Sequence, residues 1–401
     1  MSFLERRFSV DFQYRVDFTT DLFDPANLAW ASVVDAEIGP ARCAVVIDAG
    51  VAQAHPHLID AVVRYAGAHP ERLMLAGPPT VFEGGEACKN DSSATDRVLQ
   101  LLDHQAIDRH AYVMAIGGGA FLDMVGFAAG ICHRGVRLIR VPTTTLAQND
   151  SGVGVKNSVN RFGKKNFLGT FAPPSAVLVD PAFLTTLHPR DWRACTAEAV
   201  KVALLKDPAF FAWIESNAHE VRAGDLDAMS HLVKACAALH MDHIATSGDP
   251  FELGSSRPLD FGHWAAHKLE SITDFALRHG EAVAIGLALD VALSHVRFGL
   301  PFTDVVRIWQ TLQGLGLPLT HPALFAGDAR QAVSPAVLEG LEEFRQHLGG
   351  RLTIMLLRGI GEGVEVHDID PHRVSAAVRR VAEFERFGLA SPKATSLRAT
   401  S

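Results

Sequence analysis

The sequence predicts an α/β domain over residues 1–188, built on a mostly parallel sheet, followed by a mainly α-helical domain over residues 189–401. Three observations lead there. Short apolar runs alternate with helix-forming stretches in the first half, and helical stretches succeed one another in the second. A chain of 401 residues is also too long for one comfortable hydrophobic core.

At the start, Phe8, Val10, Phe12, Tyr14, Val16 and Phe18 alternate with polar or charged residues, the period of a strand or hairpin with one buried face. Apolar runs follow at 44–47, 72–75, 112–116, 138–141 and 176–179, each soon closed by Gly, Pro, Asp or Thr. Beyond Pro189 the stretches 192–217, 226–246, 264–272, 281–298 and 302–315 read as helices. Two last apolar segments, 352–357 and 372–387, flank a glycine-containing turn. The tail from Gly388, rich in Ser, Thr, Pro and Ala, is expected to be disordered.

A net charge of −8 argues against a nucleic-acid or anionic-membrane partner. An anionic substrate would therefore need a local cluster of Lys and Arg. Five scattered cysteines, odd in number, suit reduced thiols rather than a disulfide framework. Glu5, Arg6 and Arg7 interrupt the region where a signal peptide needs its apolar run, and no stretch is apolar enough to span a bilayer. A cytoplasmic location is expected.

The run 112–116 leads into Gly117, Gly118 and Gly119 and then a helix-forming stretch with Asp123. A strand feeding a glycine turn and a helix N-terminus makes a Rossmann-like anion site, because free N–H groups and the helix dipole face the ligand. The spacing is not Gly-x-Gly-x-x-Gly, and a glycine turn serving packing alone is an equal reading. Asp48, ending the first core strand, can accept from a ribose hydroxyl. Glu86 and Lys89 follow the second strand, on the same crevice; solvated loop charges are the plainer reading of all three.

Four segments carry chemistry. Thr143 and Thr144, then Asp150 through Lys156, then Gly163-Lys164-Lys165-Asn166 supply the required cationic and glycine-rich loop. Glu198 and Lys201 lie one helical turn apart, a spacing that more often marks a surface ion pair. His263 and His267 follow Asp260 at i,i+4 spacing, and His279-Gly280-Glu281 opens another helix. The pair His240/His243 is a rival. A Glu and two His from separate helices, with open positions left, is nevertheless the pattern of a catalytic divalent site.

In this order, these motifs resemble the dehydroquinate synthase-like sugar-phosphate cyclases from about Arg42 to Arg358. The resemblance implies an NAD-binding α/β domain, a helical metal- and substrate-binding domain, an active site between them and a homodimer. It implies Glu198, His263 and His279 as ligands of zinc or cobalt. It assigns NAD to Asp48, Glu86, Lys89, Gly117, Gly118, Gly119, Asp123, Thr143, Thr144, Lys165 and Thr186. Catalytic contacts fall to Lys201, Lys234, His267 and Asp150, and substrate contacts to Arg134, Lys156, Asn166, Asp260, Arg257 and Arg345, with Arg134 reaching a neighbouring subunit.

Departures from the pattern bear on the substrate. Asp260 stands where dehydroquinate synthases usually have Asn, and Ser256 where they have an arginine for the substrate carboxylate, with Arg257 offset by one. A lost bidentate guanidinium argues against a carboxylated substrate. A family lysine is replaced in the segment Phe344-Arg345-Gln346-His347. The changes resemble members that accept sedoheptulose 7-phosphate, and the retained His267 those that form 2-epi-valiolone rather than 2-epi-5-epi-valiolone. A metal- and NAD-dependent polyol or alcohol dehydrogenase, and a catalytically inactive scaffold, are the readings from other classes.

Overall fold

The computed structural model describes residues 3–162, 164–251, 258–327, 330 and 332–387. Gly163, Ser256, Arg257 and the tail from Gly388 lie outside the described residues. The chain forms two compact units, Met1–Phe183 and Leu184–Ser401. The division falls inside the turn Pro181–Thr186, a little before the boundary expected at residue 188.

The strands of the first unit are β1 (Arg15–Phe18), β2 (Ala41–Asp48), β3 (Leu73–Leu75), β4 (Thr80–Phe82), β5 (Tyr112–Gly117), β6 (Arg137–Pro142), β7 (Lys156–Arg161), β8 (Lys164–Phe171) and β9 (Ala176–Val179). Seven of them make one parallel sheet in the order β1-β9-β6-β5-β2-β3, with β4 on the same edge of β2 as β3. Cys43, Val45 and Ile47 face one core with Trp30, Val62 and Tyr65. Ala44 and Val46 face the other, with Val98, Phe121 and Val125. Because helices cover both faces, the strands read as continuous apolar runs rather than alternating ones.

Two expectations for this unit change. The alternating segment 8–18 is a strand only over Arg15–Phe18, since β9 offers four residues to pair with; Phe8, Val10 and Phe12 are exposed. The loop expected around Lys156–Asn166 is the antiparallel hairpin β7–β8.

In the second unit the helices Leu226–Thr246, His263–Ile272, His279–Phe298 and Phe302–Gly314 stand where the periodicity predicts them. The continuous helix expected over 192–217 is instead three: Pro189–Ala194, Thr196–Lys206 and Pro208–Ala223. Pro208 cannot donate into a continuing helix, and Asp207 caps the new one by accepting from the amides of Ala209 and Phe210. The helix His279–Phe298 is buried almost all round from Gly280 to Ser294, so it forms the centre of this unit. The helix Pro335–His347, the antiparallel strands β10 (Ile354–Gly359) and β11 (Glu362–Val366) and the helix Pro371–Phe387 follow. Among the described residues no helix is long and apolar enough to cross a membrane.

Candidate metal centre and nucleotide crevice

Three neighbouring strands of the first unit, β2, β5 and β6, end in Asp48, in Gly117 and just before Thr143, at the carboxyl edge where open α/β sheets bind ligands. Gly118 caps the helix Gly119–Ile131. Asp48 caps its own helix through the amide of Gly50 (2.8 Å). Glu86 accepts from Asn160, and Thr144 precedes the π-turn Ala147–Ser151 that carries Asp150. Arg134 is exposed with φ of 67° in the bend after the helix Gly119–Ile131. Lys165 lies in β8, and Thr186, at the end of the turn Pro181–Thr186, belongs to the second unit.

Residues assigned above to different ligands turn out to be bound to one another. The buried Lys89 ammonium donates to Asp123 (2.6 Å), Asn166 (2.6 Å) and Ser158 (3.1 Å). This network ties the hairpin to the helix after the glycine turn. A second anchor left no mark in the sequence reading. Arg140 on β6 is 0 % exposed and donates to the carbonyls of Gly152 (3.0 Å), Gly154 (2.7 Å) and Lys156 (3.0 Å) and to Asn157 Oδ1 (2.6 Å). The segment between Asp150 and Lys156 is thus held from beneath by one guanidinium.

In the second unit Glu198, His263 and His279 offer ligand atoms that all lie within 4.8 Å of one another. Glu198, 1 % exposed, lies on the helix Thr196–Lys206, and each histidine is the first residue of its own helix. Glu198 Oε1 stands 3.2 Å from His279 Nε2 and 3.6 Å from His263 Nε2. Bonds of ~2.1 Å in a tetrahedral shell put neighbouring donors roughly 3.4 Å apart. The observed spacings bracket that value.

Both rings also present the correct nitrogen. His263 Nδ1 meets the Phe261 carbonyl at 3.1 Å, and His279 Nδ1 meets Glu270 Oε2 at 3.2 Å. With Nδ1 donating, each Nε2 is left with a lone pair for a cation. The donor set fits zinc or cobalt.

The electrostatics agree. Burial opposes ionisation of Glu198, but Lys201, with Nζ 2.5 Å from Oε2, and the two histidines hold its carboxyl well below the ordinary range. Burial and then Lys201 lower the pKa of His263. Burial also acts against the His279 imidazolium, yet hydrogen bonds to Glu198 and Glu270 push it up to about 10. A divalent cation would take the place of that proton.

His267 is exposed beside the cluster, its ring 5.4 Å from His263 and 6.2 Å from His279. Asp260, partly exposed, lies close enough to act on His263 by its charge. Lys234 sits on an exposed position of the helix Leu226–Thr246. Arg345, expected to hold substrate, donates to both carboxylate oxygens of Glu342 on its own helix, Pro335–His347, and to the Gly350 carbonyl beyond it.

Main-chain contacts bring the ligand-bearing segments together. A Cβ on Gly280 would lie 1.6 Å from the Ala194 carbonyl oxygen, and one on Gly286 would lie 2.0 Å from that of Gly262. Asp290, wholly buried, accepts from the amide of Gly262 (2.9 Å) and the indole of Trp264 (2.8 Å), the residues flanking His263. Burial, only partly offset by those two bonds, pushes its pKa up to about 7. A raised carboxyl pKa contributes stability that is present below the unfolded value of about 4 and lost as pH rises towards the folded value. In metal-free protein the stability difference between wild type and Asp290→Asn will therefore fall between about pH 4 and pH 7. Urea unfolding at several pH values measures it, and a flat difference would contradict the assignment.

Comparison with known proteins agrees with the fold. Residues 79–194 match the model of the 3-dehydroquinate synthase N-terminal domain and residues 195–335 that of the C-terminal domain. The chain is 37 % identical over 374 residues to a 3-dehydroquinate synthase of Bradyrhizobium sp., covering 88 % of this chain and 95 % of that protein. Its structure resembles that of a 2-epi-5-epi-valiolone synthase from Streptomyces hygroscopicus subsp. jinggangensis with NAD+ and Zn2+ bound (TM-score 0.81, 30 % identity, 95 % and 99 % of the two chains). A 2-deoxy-scyllo-inosose synthase shares the fold (TM-score 0.73, 22 % identity, 91 % and 96 %). The chain belongs to the dehydroquinate synthase-like family of sugar-phosphate cyclases.

Proposed function

We propose that this enzyme is a phosphate-eliminating carbon–oxygen lyase that cyclises sedoheptulose 7-phosphate to 2-epi-valiolone. The observation that carries the reading is Asp260: a carboxylate acting on His263 at the edge of the ligand cluster repels a substrate carboxylate and accepts from sugar hydroxyls. NAD, as in the valiolone synthase structure, would supply a transient hydride acceptor, and a divalent ion held by Glu198, His263 and His279 would supply Lewis acidity.

Oxidation of a secondary alcohol makes the adjacent C–H acidic, so phosphate can leave by β-elimination. Reduction, ring opening and intramolecular aldol closure then give the carbocycle. Lys201 Nζ, buried beside Glu198, holds a proton next to the reacting oxygens, and His267, open to solvent, exchanges one. Lys156 and the loop braced by Arg140 would hold the phosphate, with Asp150, Asn166 and Lys234 around the sugar. A homodimer in which Arg134 completes the neighbour's site belongs to the same reading.

The names of the curated relatives favour a second reading, 3-dehydroquinate synthase. Incubation with NAD, cobalt or zinc and sedoheptulose 7-phosphate should release one phosphate per sugar without net NADH, and NMR of the product should show 2-epi-valiolone. Reaction of a carboxylated seven-carbon sugar phosphate alone would establish the second reading. Accumulating NADH would indicate a dehydrogenase.

A further inference from the structure

We propose that Glu270 is a positioning residue for the metal centre: by accepting from His279 Nδ1 it fixes which nitrogen of that ring faces Glu198. The inference rests on the reading that Glu198, His263 and His279 hold a divalent cation. Glu270 is buried, lies two helical turns after His263 on the helix His263–Ile272, and reaches across to the next helix at 3.2 Å. One helix therefore carries both a ligand and the group that aims the other ligand.

The two histidines are secured by different means. Nδ1 of His263 meets a main-chain carbonyl, that of Phe261, which no substitution removes. Nδ1 of His279 meets a side chain, so its orientation is open to change by mutation. Glu281, the acidic residue of the His279-Gly280-Glu281 motif, does not perform this task. Both of its oxygens bind Arg190 at 2.6 Å, and one also accepts from the Arg278 amide. Without an acceptor at Nδ1, the His279 ring is free to carry its proton on Nε2, where the lone pair for a cation is required.

The test is cobalt(II) titration of metal-stripped protein, followed by visible absorption, for wild type, Glu270→Ala, Glu270→Gln and Glu198→Ala. Circular dichroism checks the fold of each. Glu270→Ala should weaken cobalt binding by ~10- to 100-fold, the usual cost of losing such a support. Glu270→Gln keeps an acceptor oxygen, so its loss should be smaller, under about tenfold. Wild-type affinity in Glu270→Ala, or a glutamine variant as weak as the alanine one, overturns the proposal. Should Glu270→Ala fail to fold, Glu270→Gln decides: a loss beyond tenfold overturns it and a smaller loss supports it. Failure of the wild type to take up one cobalt per chain, or undiminished uptake by Glu198→Ala, would instead refute the metal-site reading itself.

Discussion

Glu198→Ala will lose its stoichiometric metal and at least ~10³-fold in turnover, because Lewis-acid assistance contributes several kcal/mol and each ~1.4 kcal/mol is a factor of ten. Glu198 Oε1 is the point on which both Nε2 atoms converge, so its removal leaves two neutral imidazoles and no anionic ligand. Lys201 adds to the loss. Its ammonium, 2.5 Å from Glu198 Oε2 and buried, would repel an incoming cation once the Glu198 carboxylate is gone. Elemental analysis after dialysis and a phosphate-release assay read the two effects. A variant that keeps one metal per chain would show that the three residues are not the ligand set.

Arg140→Met will cost ~3 kcal/mol of stability, since each buried acceptor left unmet costs ~1–3 kcal/mol and this guanidinium serves two buried acceptors and two part-buried ones. Methionine fills similar space without donors, so the carbonyls of Gly152, Gly154 and Lys156 would turn elsewhere and carry the loop with them. Lysine is no substitute, because one ammonium cannot span acceptors that a planar fork reaches together. Burial lowers the Arg140 pKa, with Asp123 and Tyr14 acting the other way. The urea midpoint gives the stability change, and the KM for sugar phosphate should rise with it. A change below ~1 kcal/mol would show that the loop holds itself.

These two residues also mark how far the sequence could be read. Ala176–Val179 and the run within β5 were legible because strands covered on both faces leave unbroken apolar stretches. Glu198, His263 and His279 were legible through the resemblance, since their spacings alone left His240 and His243 as a rival pair; the structure brings the three together. Arg140, Glu270 and Asp290 were not. Each acts through a partner on another segment, and nothing in its own neighbourhood marks it. The hairpin β7–β8 escaped for a different reason: β7 is mostly polar, and β8 is largely exposed although it carries Phe167, Leu168 and Phe171, so no apolar periodicity separates it from a loop. The segment before β1 misled in the opposite sense, because the alternation runs on beyond the four residues that pair with β9.

The contacts of Gly280 with Ala194 and of Gly286 with Gly262 set limits on how this centre can change over generations. Where ligand-bearing segments touch main chain to main chain, no side chain at the contact remains to be exchanged. The apolar residues around the centre are free to drift in identity while the separation of the ligands is inherited unchanged. Diversity among descendants should therefore gather at positions such as Asp260 and His267, on the open side, while the frame that holds Glu198, His263 and His279 persists.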